Sequence, residues 1–327
     1  MPRSLLSSYS DLLLTIYRLA HDTPVPEFQD ELLGALKSCI PFDSSMWGTA
    51  TMTSNGIDVH SIHLHQSSQA MLVAYEAVKH QDTPAQRLAE QSVTTLSFNS
   101  DLEFAGPGKE GMRALCEEFG HRNCLITCDI NPFTQFVHWV SLYRKDAKQV
   151  CTTVETELFD NLAPHLMQAL AINRRVHLDK LVGDIARQSW TVAIADKRGI
   201  PYHVGKLFWG LVESEWNTQN RERLPPALLG KLLEKKQVIG RNIVVHCTHE
   251  HGLMYLKARP REKVDGLSPR EYLVAKMLAS GMSQKEVATK AKRSPETIRS
   301  QIRIVFEKLE ITSVVMLAPH LALRDYD

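Results

Sequence analysis

The sequence lacks the spacings that mark several large protein classes. Its six cysteines, Cys39, Cys116, Cys124, Cys128, Cys151 and Cys247, follow neither a disulfide framework nor a zinc-finger pattern, as in a reduced, intracellular protein. Nowhere do about eighteen apolar residues run together, so no transmembrane helix is expected. The apolar stretch in the first twenty residues is interrupted by Asp11 and reads as an amphipathic helix, not a signal peptide. A glycine-rich phosphate loop, a recognisable catalytic triad and the five-fold β/α alternation of a phosphorylated receiver are all missing. Net charge is nearly absent too, 38 Lys and Arg against 37 Asp and Glu giving +1. The expectation is a cytoplasmic, non-enzymatic protein with no cofactor and no resident metal.

What is present is length and core. At 327 residues and 43% hydrophobic content the chain allows two or three domains with sizeable interiors. The small net charge hides an asymmetry. From Leu267 onward there are ten Lys/Arg and seven Asp/Glu, an excess of three positive charges, while the preceding 266 residues hold 28 and 30. That basic excess falls on the segment with the clearest helical punctuation.

Ser268-Pro269 followed by Glu271 is a capping box with proline at the first helical position, where its missing N–H costs nothing. Leu273, Val274, Met277 and Leu278 continue a helix that Gly281 should end. Ser283 and Glu286 repeat the box, and Ser294-Pro295 opens a third helix reaching about Lys308. In that helix Ile298, Ile302, Val305 and Leu309 share one face, which leaves Glu296, Arg299, Ser300, Arg303 and Glu307 on the other. Arginines four apart on an exposed helix suit the guanine edges of a B-DNA major groove. The helix start, with the hydroxyls of Ser294 and Thr297, suits a phosphate. Taken alone, such a face is equally that of a solvated surface helix.

The spacing of the three helices together is more specific. L-S-P-R-E, then V-x-x-M-L-A-x-G-M-S-x-K-E-V-A, then S-P-E-T-I-R-S and K-L resemble the LuxR-type helix-turn-helix, from Leu267 through a fourth helix at Ser313–Leu323. The resemblance implies base contacts from Arg299, Ser300 and Arg303, phosphate contacts from the helix starts and from Lys308, and a fourth helix that often mediates dimerisation. Glu310 departs from the family's usual glycine and puts in question how the last helix leaves the third. The ATP-driven members of the family are not matched.

Upstream, helices are expected at Tyr9–Ala20 and Glu27–Cys39, then a hairpin with strands at Ser45–Met52 and Ile57–Leu64 around a turn at Ser54–Gly56. Helices near Gln69–His80, Pro84–Gln91 and Lys109–Phe119 follow, then strands at Asn123–Ile130 and Gln135–Arg144 joined at Asn131-Pro132. This order suggests an α+β sensor of about 150 residues, and it resembles a GAF-like input domain, most clearly at Glu157–Leu170 (ELFDNLAPHLMQAL). From Val154 to about Ile185 the pattern is helical, with a kink expected at Pro164. Phe159, Leu162, Leu166, Ala169, Asn173 and Val176 alternate spacings of three and four, which reads as a dimer seam with Asn173 at a register-setting position or as an amphipathic helix on its own domain. WTVAIAD, a KRG turn, IPYHV and GKLFWGLVESEW resemble the opening of a PAS domain, closed by a hairpin of Arg241–His246 and Leu253–Ala258 and shorter than a full PAS fold. PREKVD, at Pro260–Asp265, is charged and aperiodic and reads as the linker.

Other clusters are weaker. His246, Cys247, His249, Glu250 and His251 could hold a transition metal, but the expected hairpin tip accounts for their polarity. His63 and His65 share a strand face without a third ligand. Cys124 and Cys128 also share a face, about 13 Å apart, too far to pair, and read as small core residues. Trp47, Tyr75, Phe133, Phe136, Trp139 and Tyr143 could line a small-molecule pocket; Trp47, Tyr75, Phe136 and Trp139 are the ligand candidates. Asp82-Thr83-Pro84 only approximates the aspartate–proline pair of acyl-homoserine-lactone receptors.

The expected architecture is therefore α+β sensor modules followed by an all-α four-helix LuxR-type domain: a GAF-like sensor over 1–153, a helical connector over 154–186, a reduced PAS-like module over 187–260 and the DNA reader over 261–327. The function expected is a signal-responsive bacterial-type transcription regulator. Its partners would be double-stranded DNA, a second copy of itself and a small-molecule effector, with RNA polymerase a further partner open to such a regulator. A lactone receptor, a sigma-factor-like region and an enzyme fused to DNA control are the alternatives.

Overall fold

Both faces of the first module's sheet pack against helices, so its central strands are buried in runs instead of alternating. The computed structural model describes residues 5–53, 56–90, 95–130, 136–182 and 190–322. The chain divides into two units, residues 1–180 and 181–327. In the first, α1 (Leu5–Asp22) and α2 (Val25–Leu36) precede the hairpin of β1 (Ser44–Thr53) and β2 (Gly56–His65). Pro26 lies in the first turn of α2, the position where its missing donor is tolerated. Next come α3 (Gln69–Val78), α4 (Thr83–Glu90), β3 (Thr95–Asn99), α5 (Ser100–Glu103), α6 (Glu110–Glu118), β4 (Asn123–Ile130), β5 (Phe136–Arg144) and α7 (Thr153–Val182). The sheet is antiparallel with order β2-β1-β5-β4-β3. The expected turns at Ser54–Gly56 and Asn131-Pro132, and Phe133, lie outside the described residues or their side chains.

The seam expected on α7 is a core face. Phe159, Leu162, Leu166 and Ala169 are each 0% exposed and pack with Leu12, Ile16, Phe28, Leu33, Trp47 and Val140 of the same unit. Asn173, buried beside them, donates from Nδ2 to the carbonyls of Ala20 (3.2 Å) and Thr23 (2.8 Å), where α1 runs out of partners for its own last turn. It holds a helix end within one chain and does not set a register between two. The helix continues past Pro164 to Val182.

The second unit begins with β6 (Thr191–Asp196) and β7 (Pro201–Val204), followed by α8 (Phe208–Trp216), α9 (Pro226–Glu234), β8 (Gln237–Ile239), β9 (Ile243–Glu250) and β10 (Leu253–Pro260). Its sheet is antiparallel with order β7-β6-β10-β9-β8, the same arrangement as the first. Some seventy residues thus hold a full five-stranded sheet, with α8 and α9 packed on Ala193, Ala195, Ile243, Val245, Met254 and Leu256.

Four helices complete the chain: α10 (Pro269–Ala279), α11 (Gln284–Lys290), α12 (Pro295–Leu309) and α13 (Leu317–Ala322), around Val274, Leu278, Val287, Ile298, Val305 and Leu309. Among the described residues no helix is long and apolar enough to cross a membrane.

Candidate nucleic-acid interface

The sequence-predicted caps all form. Ser268 Oγ accepts from Glu271 N at 3.3 Å while Glu271 Oε2 accepts from Ser268 N at 2.8 Å, and Ser283 with Glu286 repeats the box. Ser294 Oγ accepts from Thr297 N (3.2 Å) and lies 2.8 Å from Thr297 Oγ1, so both hydroxyls first serve to start α12. Each of α10, α11 and α12 ends on a left-handed residue with paired 6→1 and 5→2 bonds: Gly281 (φ 91°), Lys292 (φ 52°) and Glu310 (φ 54°). Glu310 therefore takes the strained conformation that glycine would take freely, and its carboxylate pairs with Lys263.

These caps fix how α12 is presented. Ile298 and Val305 are fully buried and Leu309 nearly so, which turns Arg299, Ser300 and Arg303 outward. The arginine side chains are 74% and 76% exposed. Arg299 is 3.7 Å from Glu296 and Arg303 3.8 Å from Glu307, long pairs between exposed groups that yield readily to a better acceptor. Gln284 of α11 donates to Pro295 O (3.1 Å) and ties the two helices together at the reader's start. Lys290, Lys292 and Arg293 are exposed around the turn between them.

Lys308, to which the resemblance assigns a phosphate contact, is also tied into the domain. Its ammonium donates to Glu271 Oε2 (2.7 Å) and to Gly266 O (3.3 Å). Burial pushes the Glu271 carboxyl up, but Lys308 and the Ser268 N–H and hydroxyl outweigh it and hold the pKa below the usual value. Lys308 thus makes a bond inside the domain while its side chain stays 40% exposed.

The aromatic ligand candidates do not line one pocket. Trp47 and Trp139 come from neighbouring strands, yet Trp47 pairs across with Val140 while Trp139 pairs with Gly48, so they emerge on opposite faces. Trp47 is buried in the core beneath α1, α2 and α7. Phe136 shares that face, stacked on His60 (5.7 Å) and edge-on to His138 (4.9 Å). Trp139 lies across Gly48 on the other face, where a Cβ would come within 2.3 Å of its ring. On that second side Tyr75 donates to Asp82 Oδ2 at 2.8 Å, and Asp82 Oδ1 accepts from Ala85 N at 3.0 Å. Burial raises the Asp82 carboxyl pKa against both hydrogen bonds. Asp82 stands directly before Thr83-Pro84, and that place is its signal in the sequence.

The histidine runs are likewise divided. His246, Cys247, His249 and Glu250 lie on β9 instead of at a tip, and only His251 enters the turn. His246 meets Gln237 Nε2 (2.9 Å) and the edge of Trp190, while Cys247 lies in the core beneath the helices and His249 reaches Leu232 O. His63 and His65 both hydrogen-bond Asp30 Oδ1, at 3.1 and 2.6 Å. Burial pushes the thiols of Cys116 and Cys247 up to about 12.

Three short helices, the second and third joined by a tight turn and the third carrying outward arginines, define a helix-turn-helix DNA-binding domain. Residues 265–321 match the family of bacterial regulatory proteins described as the luxR family, GerE, so this segment is a LuxR-type helix-turn-helix domain. Among solved structures, Escherichia coli SdiA is similar at 13% identity and TM-score 0.41, covering 99% of each chain. CepR2 of Burkholderia cenocepacia, an N-acylhomoserine lactone dependent LuxR family transcription factor, is similar at 15% identity and TM-score 0.40, over 50% of this chain and 93% of that one. The phycoerythrobilin-bound GAF domain of a cyanobacterial phytochrome is similar at 10% identity and TM-score 0.36, over 54% of this chain and all of the domain. Scores of this size mark distant likeness and say nothing of ligand or assembly. No curated protein matches the chain by sequence.

Proposed function

We propose that the chain is a signal-responsive transcription regulator that reads DNA with Arg299, Ser300 and Arg303 and acts as a homodimer. The observation that carries this reading is the outer face of α12, held outward by buried Ile298, Val305 and Leu309 and by three formed caps. The small basic excess argues for pairing two readers, since one module offers few phosphate contacts. The short turn ahead of the fourth helix is the surface this reading assigns to pairing. Leu317 and Leu321 are core, while Val314, Val315 and Met316 are exposed at 42%, 85% and 44%. In this reading 1–153, 154–186, 187–260 and 261–327 serve as sensor, connector, second module and reader. Binding-site selection with the full chain and with Arg299→Ala and Arg303→Ala tests it: each arginine variant should lose preference at one base. Unchanged preference in both would remove α12 as the reader.

A second reading concerns the effector. Asp82, half-buried and bonded to Tyr75 on the β-sheet face that carries Trp139, supports a small molecule with an N–H or hydroxyl donor near that carboxylate. Mass spectrometry of natively purified wild-type and Asp82→Asn protein tests this, with loss of a retained compound from the variant as the expected result.

A further inference from the structure

The charged stretch PREKVD has the composition of a loose tether, and the structure gives it none of a tether's freedom. Strand β10 runs to Pro260, and a 3₁₀ turn, Lys263–Gly266, begins after Arg261 and Glu262. Both intervening residues are held through their backbone N–H groups. Arg261 N donates to Asn242 O at 2.9 Å, extending the ladder past Pro260, and Glu262 N donates to Asp265 Oδ2 at 2.8 Å. The turn belongs to the reader: Val264 and Leu267 are buried in its core, Lys263 pairs with Glu310 at the end of α12, and Lys308 reaches Gly266 O.

A buried ion pair joins the two parts. Arg259, on the last strand of the second sheet, donates from Nη1 to Asp265 Oδ2 (2.6 Å) and from Nη2 to Asp265 Oδ1 (2.7 Å). The side chains are 2% and 1% exposed, so this two-pronged bond is shielded from solvent and salt. The guanidinium also lies 4.9 Å from the ring centre of Trp190, which Lys257 approaches to 4.7 Å from its own strand position. Trp190 immediately precedes β6, so the residue that holds the reader also holds the entry to the module.

We propose that Arg259 and Asp265 weld the second sheet module to the DNA reader as one rigid body, with Arg259 a positioning residue for DNA reading. It acts through Asp265 and the 3₁₀ turn, which set the direction in which α12 is presented, and it touches no base. The consequence for recognition rests on the dimeric reading above: two welded readers cannot swivel independently, so the spacing between half-sites is fixed by the protein.

The test uses the full chain in three forms: wild type, Asp265→Asn, and a form with Gly-Ser-Gly inserted between Arg261 and Glu262. Each is selected against DNA with half-sites at varied separations. Wild type should accept one spacer length. Both altered forms should accept several neighbouring lengths and bind the best wild-type site about tenfold more weakly, with unchanged base preference inside each half-site. An inserted form that keeps the single wild-type spacer overturns the proposal, because contacts between readers would then set the spacing. Calorimetry supplies a readout independent of DNA: module and reader should melt together in wild type and separately in the inserted form. Separate melting in wild type overturns the weld. If all three forms bind lone half-sites as monomers, the dimeric reading fails and the calorimetric result alone decides the weld. Should Asp265→Asn fail to fold, the inserted form, which leaves both domains' interiors intact, carries the decision.

Discussion

Arg303 and Lys308 lie on one helix with the same charge, and their surroundings give them different tasks. Arg303 is three-quarters exposed with one distant partner, so Arg303→Ala should cost about 1–3 kcal/mol at one base and relax specificity there. Lys308 pairs with Glu271, which is 13% exposed and also caps α10. Lys308→Ala should therefore lower stability by about 1 kcal/mol in urea unfolding and leave base preference intact. Lys292 ends α11 in the left-handed region, so Lys292→Gly should raise the urea midpoint by the equivalent of about 1 kcal/mol. A pH dependence follows from His121, buried with its ring stacked 3.7 Å from Tyr143, where burial pushes its pKa down from 6.5 to about 4. The unfolded chain takes up this proton near pH 6.5 and the folded protein only near 4. The neutral ring's stabilisation is thus complete above about 6.5 and is lost as pH falls toward 4, by up to about 3 kcal/mol. His121→Phe keeps the stacking and should flatten stability against pH across that window; an unchanged slope would count against the assignment.

Among the elements, α7 shows what periodicity can and cannot report. Spacings of three and four at Phe159, Leu162, Leu166 and Ala169 establish an apolar stripe, but a stripe is silent on what covers it, and here the covering is α1, α2 and the first sheet. Asn173→Ala should accordingly cost about 1–3 kcal/mol, by stranding the Ala20 and Thr23 carbonyls, without changing the oligomeric state. Sedimentation of the variant separates this from a register role. The reader's helices were legible because their signals are local: each cap joins residues three apart, and Ser268, Ser283 and Ser294 all start the helices expected of them. Strands β3 and β8 are five and three residues long at sheet edges, too short to show alternation. Helix α9 has its signal in Pro225-Pro226 ahead of Leu228 and Leu232. The ligand aromatics failed for a different reason. Alternation says that Trp47 and Gly48 face opposite ways, but only the pairing of β1 with β5 shows that Trp139 goes with Gly48. In PREKVD, composition misled because Asp265 is buried by a partner, Arg259, that lies outside the stretch.

At the scale of the molecule, assembly should respond to the exposed apolar turn before α13. Val315→Asp, at a residue 85% exposed and outside the core, should leave the fold intact, shift sedimentation toward monomer and weaken binding to a paired site far more than to a half-site. A dimer unchanged by this substitution would place the contact elsewhere. The shared strand order has a wider implication. In both sheets the first and last strands lie side by side at the centre, β1 beside β5 and β6 beside β10. Because those strands are antiparallel, the chain enters and leaves each sheet at the same end, Thr191 lying directly across from Ala258. Entry and exit are thus one strand spacing apart, about 4.8 Å. A cassette built this way can be spliced into a chain, or cut out of it, while the flanking segments stay within reach of each other. Two such cassettes in series describe how a chain can gain a module by insertion, provided that the last strand keeps a partner such as Arg259 for the buried Asp265 that follows it.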